Sequence, residues 1–159
     1  MSNSLFLHEL IHLVLSLLAI SITWLFFLQK KYRHTSKYIS VIILGGLLGG
    51  VFLDSDHLFD YIISFGLIFR PDYFLTGHMF AVSNRVFVPV HSWELVFIFG
   101  VISYVTKNKM AKYFLTALAL GMITHLVFDT YSNRTVLLGY SFIYRLLTNF
   151  DAGSFSALM

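Results

Sequence analysis

The 159-residue chain contains no cysteine. This absence excludes a disulfide framework and thiolate ligands, so any bound metal must be held by nitrogen and oxygen atoms. Charge is also scarce: charged residues make up 12% of the chain, against about 25% in soluble domains, while hydrophobic residues make up 57%. This is the composition of a membrane protein. The net charge of +3 is modest, which gives no reason to expect a nucleic-acid partner.

Internal repeats and low-complexity tracts are absent too. The apolar N-terminal run lacks the basic start and small-residue cleavage site of a signal peptide, so we interpret it as a retained membrane helix. Because about 20 apolar residues cross a bilayer core, the apolar runs predict spans. These runs cover about Leu5–Leu28, Tyr38–Leu53, His91–Val105 and Ala111–Tyr131.

Three other segments are too short or too mixed in composition to be predicted as spans. Residues 57–69 are apolar with helical length, residues 73–90 are irregular, and residues 139–150 are typical of an amphipathic interfacial helix. We therefore expect an all-α fold in a single membrane-embedded domain over residues 1–159. The predicted architecture is a four-helix bundle with additional interfacial or re-entrant helices.

The positions of lysine and arginine predict the orientation of this bundle. Basic residues join spans one and two, and also spans three and four, so both connections should be cytoplasmic and both termini outside. These residues are Lys30, Lys31, Arg33, Lys37, Lys107, Lys109 and Lys112. The second span also carries Gly45, Gly46, Gly49 and Gly50, a spacing that allows another helix to pack closely in lipid.

Polar residues gather at the predicted outer ends of the spans. Only eight acidic residues occur in the chain, and three of them lie within residues 54–60. Ionisable groups at membrane depth are costly and usually functional, so their convergence predicts a metal site. The candidate ligands are His8, His12, Asp54, Asp56, His57, His91, His125 and Asp129.

Each part of this set also has a purely structural interpretation. His8 and His12, spaced i, i+4, would face the same way on a helix and could bond backbone carbonyls instead of a metal. Asp54 or Asp56 could cap the helix that begins near His57. His125 could simply be held by Asp129 one turn later. If a metal is bound, we expect Asp54 and Asp56 to ligate it, with His57 either ligating or supporting them.

The chain resembles a known family at these positions. Asp54-Ser55-Asp56-His57 after a glycine-rich span, His91-Ser92 opening another span, and His125-Leu126 with Asp129 are similar to motifs of small membrane-bound metal-dependent hydrolases of the YdjM/YbcI type. His8 or His12 can fill that family's N-terminal histidine position. The resemblance implies hydrolase chemistry with a bound divalent metal.

Seven or eight ligands suit one or two ions, and we expect zinc, with manganese or iron as alternatives. A metal-activated water would be the nucleophile, and Glu94 or Asp60 would be the general base or would orient a histidine. Arg85 and Arg134 would hold a phosphate or anchor the chain at the interface. Because the predicted site lies at the extracytoplasmic interface, we expect phosphoester hydrolysis of a phospholipid or lipid phosphate, although amide or ester hydrolysis would use the same metals.

Other classes of function compete with hydrolysis. A transporter of metal ions or protons would use the same His/Asp cluster as a transit site. It predicts polar residues along the whole span, whereas the inner halves of the predicted helices carry almost none. Carboxylate-rich ligands disfavour haem, and the Glu-x-x-His pairs of di-iron bundles are absent. A non-catalytic membrane subunit remains the other alternative.

Overall fold

The computed structural model describes residues 2–68, residue 70 and residues 78–155. Within this part of the chain the fold is all-α, as predicted, and the only bridge between extended residues joins Arg85 to Asp151. Residues 73–77 of the predicted irregular segment lie outside the described residues. The α-helices are α1 Ser2–Ile22, α2 Ser36–Gly50, α3 His57–Phe65, α4 His78–Ser83, α5 Trp93–Val105, α6 Lys109–Ser132, α7 Phe142–Leu147 and α8 Ala152–Phe155.

Two of the described helices are long and apolar enough to cross a membrane. They cover Leu7–Phe27, where α1 continues into a π-helical turn, and Lys109–Ser132. The pair Ser36–Gly50 and Phe52–Phe65 passes the same test jointly but is bent by 55°, so it makes a third span if it is one broken helix. Trp93–Val105 is apolar but has only 13 residues.

The chain packs as two compact units. The first, which we call the helical unit, contains Met1–Leu53 and Glu94–Phe128, and the second, the loop unit, contains Asp54–Trp93 and Asp129–Met159. Helix α6 therefore belongs to the helical unit as far as Phe128 and to the loop unit from Asp129. A buried cluster in the helical unit consists of Leu28, Tyr38, Ile42, Tyr113 and Ala117.

Glycines allow α2 to lie directly against α6 in the helical unit. A Cβ atom added at Gly45 would overlap the carbonyl oxygen of Phe114, and one added at Gly49 would overlap the carbonyl oxygen of Leu118. Backbone oxygens within a helix cannot rotate away from such a clash. The close approach predicted from the glycine spacing is therefore confirmed.

The loop unit differs from the prediction over residues 139–150. A single interfacial helix was expected, but a 3₁₀ turn at Leu137–Tyr140 is followed by the six-residue helix α7. Ser141 separates the two, and its hydroxyl accepts a hydrogen bond from the Tyr144 amide at 3.2 Å. Asn149 and Phe150 then take left-handed backbone conformations after α7. The sequence showed the apolar character of this segment but not these local interruptions.

Candidate metal centre

Five of the predicted ligands lie together in the loop unit. We call them the carboxylate cluster, and they are Asp54, Asp56, His57, His91 and Asp129. The 3₁₀ turn Phe52–Asp56, the start of α3, the segment before α5 and the end of α6 supply them. His91 is fully buried, and Asp56 and Asp129 are nearly so. His91 lies two residues before α5 begins, whereas the sequence predicted that it opens the helix.

The Nε2 atom of His91 faces two carboxylates. It lies 3.2 Å from Oδ1 of Asp54 and 3.8 Å from Oδ2 of Asp129, and these three residues offer ligand atoms within 4.8 Å of one another. Nε2 of His57 lies 3.2 Å from the same Asp54 oxygen. Donors about 2.0–2.2 Å from a tetrahedral zinc ion are separated by roughly 3.4 Å. The spacing of these side chains therefore fits a shared divalent cation.

Asp56 occupies the other side of the His91 ring. Its Oδ1 lies 2.8 Å from His91 Nδ1, and its Oδ2 accepts hydrogen bonds from the amides of Val90 at 2.8 Å and His91 at 3.2 Å. If a metal bound Nε2, the neutral ring would carry its proton on Nδ1, where Oδ1 of Asp56 is the nearest acceptor. Asp56 would then orient His91 toward Asp54 and Asp129, as carboxylates commonly do for metal-binding histidines.

The interpretation of Asp56 as a helix cap is wrong. It holds the position before α3, yet its side chain makes no capping hydrogen bond there. Its carboxylate bonds the backbone of Val90 and His91 instead, 34 and 35 residues later. Asp56, His57 and His91 also offer ligand atoms within 4.8 Å of one another. We favour the orienting role, because 2.8 Å is a hydrogen-bond length and is short for two ligands of one ion.

Asp60, predicted as a candidate base, binds backbone. Its two oxygens accept hydrogen bonds from the amides of Phe87 at 2.9 Å and Val88 at 2.8 Å. Together with Asp56 it therefore satisfies successive amides of the segment that leads to His91. Burying a carboxylate this way is favourable only because those amides stabilise it.

Arg145 binds the same segment through its carbonyls. Its side chain is 1% exposed, and Nη2 donates to the carbonyl of Val88 at 3.1 Å and that of His91 at 2.9 Å. The prediction from sequence placed Arg145 on an interfacial helix and so missed this contact. A usable signal was present, since Arg145 is the one charge among the apolar residues 136–147.

Tyr140 is a second residue that the sequence did not indicate. Its hydroxyl lies 3.5 Å from Oδ2 of Asp129 and accepts from the side-chain amide of Asn133 at 3.3 Å. Burial, followed by the charge of Asp129, raises the pKa of Tyr140 far above its usual range. Tyr140 therefore stays protonated and can donate to Asp129. No pattern in the sequence marks this tyrosine.

The other predicted ligands form a histidine cluster in the helical unit, made of His8, His12 and His125. Nε2 of His8 lies 3.0 Å from Nε2 of His12, and the rings of His12 and His125 stack with centroids 3.9 Å apart. His125 Nδ1 lies 2.9 Å from the carbonyl oxygen of Gly50. Since a carbonyl can only accept, Nδ1 donates and Nε2 of His125 carries the lone pair.

The three histidines therefore pack closely within the helical unit. Two of the three rings, those of His12 and His125, are fully buried. Nε2 of His8 and Nε2 of His12 share a hydrogen bond whose donor depends on the tautomer of each ring. Along α6, His125 lies one turn before Asp129, as its i, i+4 spacing predicts.

The remaining candidates have separate positions. Glu94 is half-buried in the first turn of α5, in the helical unit. Arg85 and Arg134 are exposed in the loop unit, and Arg134 has a left-handed backbone conformation. The described contacts of the Arg85 backbone are with Ser83 and, as a bridge, with Asp151.

Comparisons with protein-family models, with curated proteins and with solved structures found no significant match to this chain. The functional conclusion therefore depends on the chemistry of these residues.

Proposed function

We propose that this chain is a membrane-embedded, metal-dependent hydrolase that cleaves a phosphoester bond in a phospholipid or lipid phosphate. The observation that carries the proposal is the arrangement around His91. Its Nε2 faces the carboxylates of Asp54 and Asp129 while Asp56 binds its Nδ1. The resemblance of the Asp54-Ser55-Asp56-His57 motif to small membrane-bound hydrolases supports the same chemistry.

Asp54, His91 and Asp129 would hold a divalent ion, and zinc, which binds imidazole and carboxylate ligands, is the ion that we propose, with manganese or iron as alternatives. His57 would be a fourth ligand or would hydrogen-bond Asp54. A bound ion would lower the pKa of a coordinated water toward neutrality and polarise a phosphoryl oxygen. Asp56 would then accept the Nδ1 proton of His91, and the hydroxyl of Tyr140 donates a hydrogen bond to Asp129.

His8 and His12 would supply imidazole ligands to a second ion, since their Nε2 atoms lie 3.0 Å apart. Two ions would be consistent with the two-metal chemistry of many phosphoesterases. The metal content of the protein distinguishes one ion per chain from two.

The substrate class follows from the membrane setting. Arg85 and Arg134 are exposed guanidinium groups in the unit that contains the carboxylate cluster, and a guanidinium can bind a phosphate through two parallel hydrogen bonds. We propose four spans with both termini outside, so that the basic connections are cytoplasmic and the carboxylate cluster faces the extracytoplasmic side. Reporter fusions at each terminus test the orientation, and cytoplasmic signals would contradict it.

The decisive experiment measures bound metal and hydrolysis in the same preparation. Detergent-purified protein would be analysed for metal and then assayed for phosphate release from phosphatidic acid micelles, with chelator and after addition of zinc, manganese or iron. We expect His91→Ala and Asp54→Ala to lose metal and activity. His34→Ala, which alters an exposed histidine of the basic connection, should retain both.

The metal content and the activity of the purified protein distinguish a hydrolase from a transporter. Intact protein that binds no metal would refute the proposal. Protein that binds metal and hydrolyses no lipid phosphate, but lets metal enter proteoliposomes, would establish the transporter alternative instead.

A further inference from the structure

Every lysine of the chain belongs to the helical unit and lies near one of two connections. Residues 30–37 cover the connection from α1 to α2 and the start of α2, and residues 107–112 cover the end of the connection from α5 to α6 and the start of α6. Neither connection contains an acidic residue, and none occurs anywhere in residues 10–53 or 95–128. Among the described residues no carboxylate forms an ion pair with a lysine. Within the described residues, the ammonium groups of these six lysines are therefore gathered without a carboxylate partner.

The two connections meet at Tyr32. The ammonium group of Lys109 lies 4.6 Å from the centre of the Tyr32 ring and donates a hydrogen bond to its hydroxyl, and Lys31 lies 5.0 Å from the same ring. These hydrogen bonds, that of Lys109 before that of Lys31, lower the pKa of Tyr32. Two ammonium groups therefore lie against one tyrosine ring, and a bound anion would stabilise their positive charge.

A cleft of about 450 Å³ opens beside this contact. Its polar lining comes from Gln29, Thr106, Lys107, Lys109 and Lys112, while Phe27 and Tyr113 supply apolar walls. Lys107, Lys109 and Gln29 are exposed and Lys112 is half-buried, so their polar groups are accessible. The cleft has three ammonium groups, an amide and a hydroxyl, which are donors that match the oxygens of a phosphate.

The surroundings of the cleft favour a lipid phosphate over a free one. Phe27 is 53% exposed at the end of the apolar segment Leu7–Phe27, and the neighbouring Phe26 is 79% exposed. Tyr104, at the end of α5, is 83% exposed. Aromatic rings at the end of an apolar helix are typical of the membrane interface, where acyl chains lie below the headgroups.

We propose that this cleft binds the headgroup of an anionic phospholipid, with Lys107, Lys109 and Lys112 neutralising its phosphate and Phe27 contacting its acyl chain. The N-terminus of α6 adds a favourable dipole, because the helix begins at Lys109. Basic pockets between membrane helices are known to bind such headgroups. The proposal does not depend on hydrolase activity, since the cleft contains none of the candidate metal ligands.

The test is native mass spectrometry of the purified protein in detergent with phosphatidylglycerol or phosphatidylcholine added. We expect a one-lipid adduct with phosphatidylglycerol and not with phosphatidylcholine. Neutralising the cleft, as Lys107→Gln, Lys109→Gln and Lys112→Gln together, should weaken the adduct on the order of 100-fold, at roughly fivefold for each lysine. A matched variant with arginine at the same three positions, which keeps the positive charge, should retain the adduct.

The control variant removes the same charge elsewhere. Lys30→Gln, Lys31→Gln and Lys37→Gln together alter only residues that do not line the cleft. This variant should keep the adduct. An equal loss of the phosphatidylglycerol adduct in the two triple-glutamine variants would overturn the proposal, because the lipid would then be held by non-specific electrostatic attraction. Displacement of the lipid by inorganic phosphate alone would also overturn it, by identifying a free-anion site, and a cooperative thermal transition in each variant checks folding.

Discussion

Replacing Asp56 with asparagine tests whether this side chain orients His91 for metal binding. The substitution keeps the shape of the side chain and removes its charge. One oxygen lies 2.8 Å from Nδ1 of His91, and the other accepts two backbone hydrogen bonds. If the amide oxygen of asparagine keeps the backbone bonds, its NH₂ group faces Nδ1. That nitrogen must then accept, and the proton moves to Nε2, where it blocks the metal.

Loss of such a supporting carboxylate weakens metal binding by about 10- to 100-fold, or roughly 1.4–2.8 kcal/mol. We expect Asp56→Asn to weaken zinc binding by about 100-fold, because the substitution would reverse the tautomer of His91. The assay is competition between the protein and a chelator of known zinc affinity, with thermal unfolding measured on the same samples.

Asp60→Asn is the matched control. Asp60 also accepts two backbone hydrogen bonds, but the described contacts of its carboxylate include no histidine. Its replacement should cost about 1–3 kcal/mol of stability by leaving one amide poorly paired, and should leave zinc affinity within about threefold of the wild type. Equal losses of affinity in the two variants, or none in Asp56→Asn, would refute the assigned role of Asp56.

Three further predictions concern packing, the buried arginine and pH. Gly49→Ala should destabilise the protein by about 1–3 kcal/mol in chemical or thermal unfolding, because the added Cβ atom meets the backbone of α6. Gly100→Ala, which has open space around it, should be neutral or stabilising. Equal effects of the two substitutions on stability would contradict the close packing of α2 against α6. Arg145→Ala should cost about 1.5–3 kcal/mol of stability and weaken zinc binding, because Arg145 holds the carbonyl of His91. Arg145→Lys should recover only part of the stability and part of the zinc affinity. Unchanged zinc affinity in a folded Arg145→Ala protein would show that the arginine does not position His91. Zinc should be released as the pH falls below about 6, because histidine ligands bind only when neutral, and metal retained at pH 4 would contradict ligation by histidine.

The membrane character and the candidate ligands were predictable because they depend on composition and on helical spacing. A long apolar run must be buried in protein or lipid whatever its neighbours are. Buried histidines and aspartates are expensive unless they are paired or bind a metal, so His12, His91, His125 and Asp129 were identifiable without a structure. The close packing at the glycines of α2 was predictable as well, because it depends on the spacing of small residues along one helix.

The roles within the carboxylate cluster were not predictable. Asp56 and Asp60 precede or begin a helix, which suggested capping or catalysis, yet their partners are backbone amides about 30 residues later. Arg145 similarly acts on carbonyls more than 50 residues away. Such pairings depend on the path of the intervening chain, and no local pattern records that path.

The sequence by itself determined that the chain is helical, apolar and equipped with histidine and carboxylate groups at helix ends. The tertiary structure alone decided that the predicted ligands group as a carboxylate cluster and a histidine cluster. It also decided that Nε2 of His91 faces Asp54 and Asp129 while Nδ1 faces Asp56, and that the lysine-bearing segments meet at Tyr32. The physical reason is that apolar periodicity and helix spacing are local properties, whereas a hydrogen bond has a direction that exists only after distant segments are packed together.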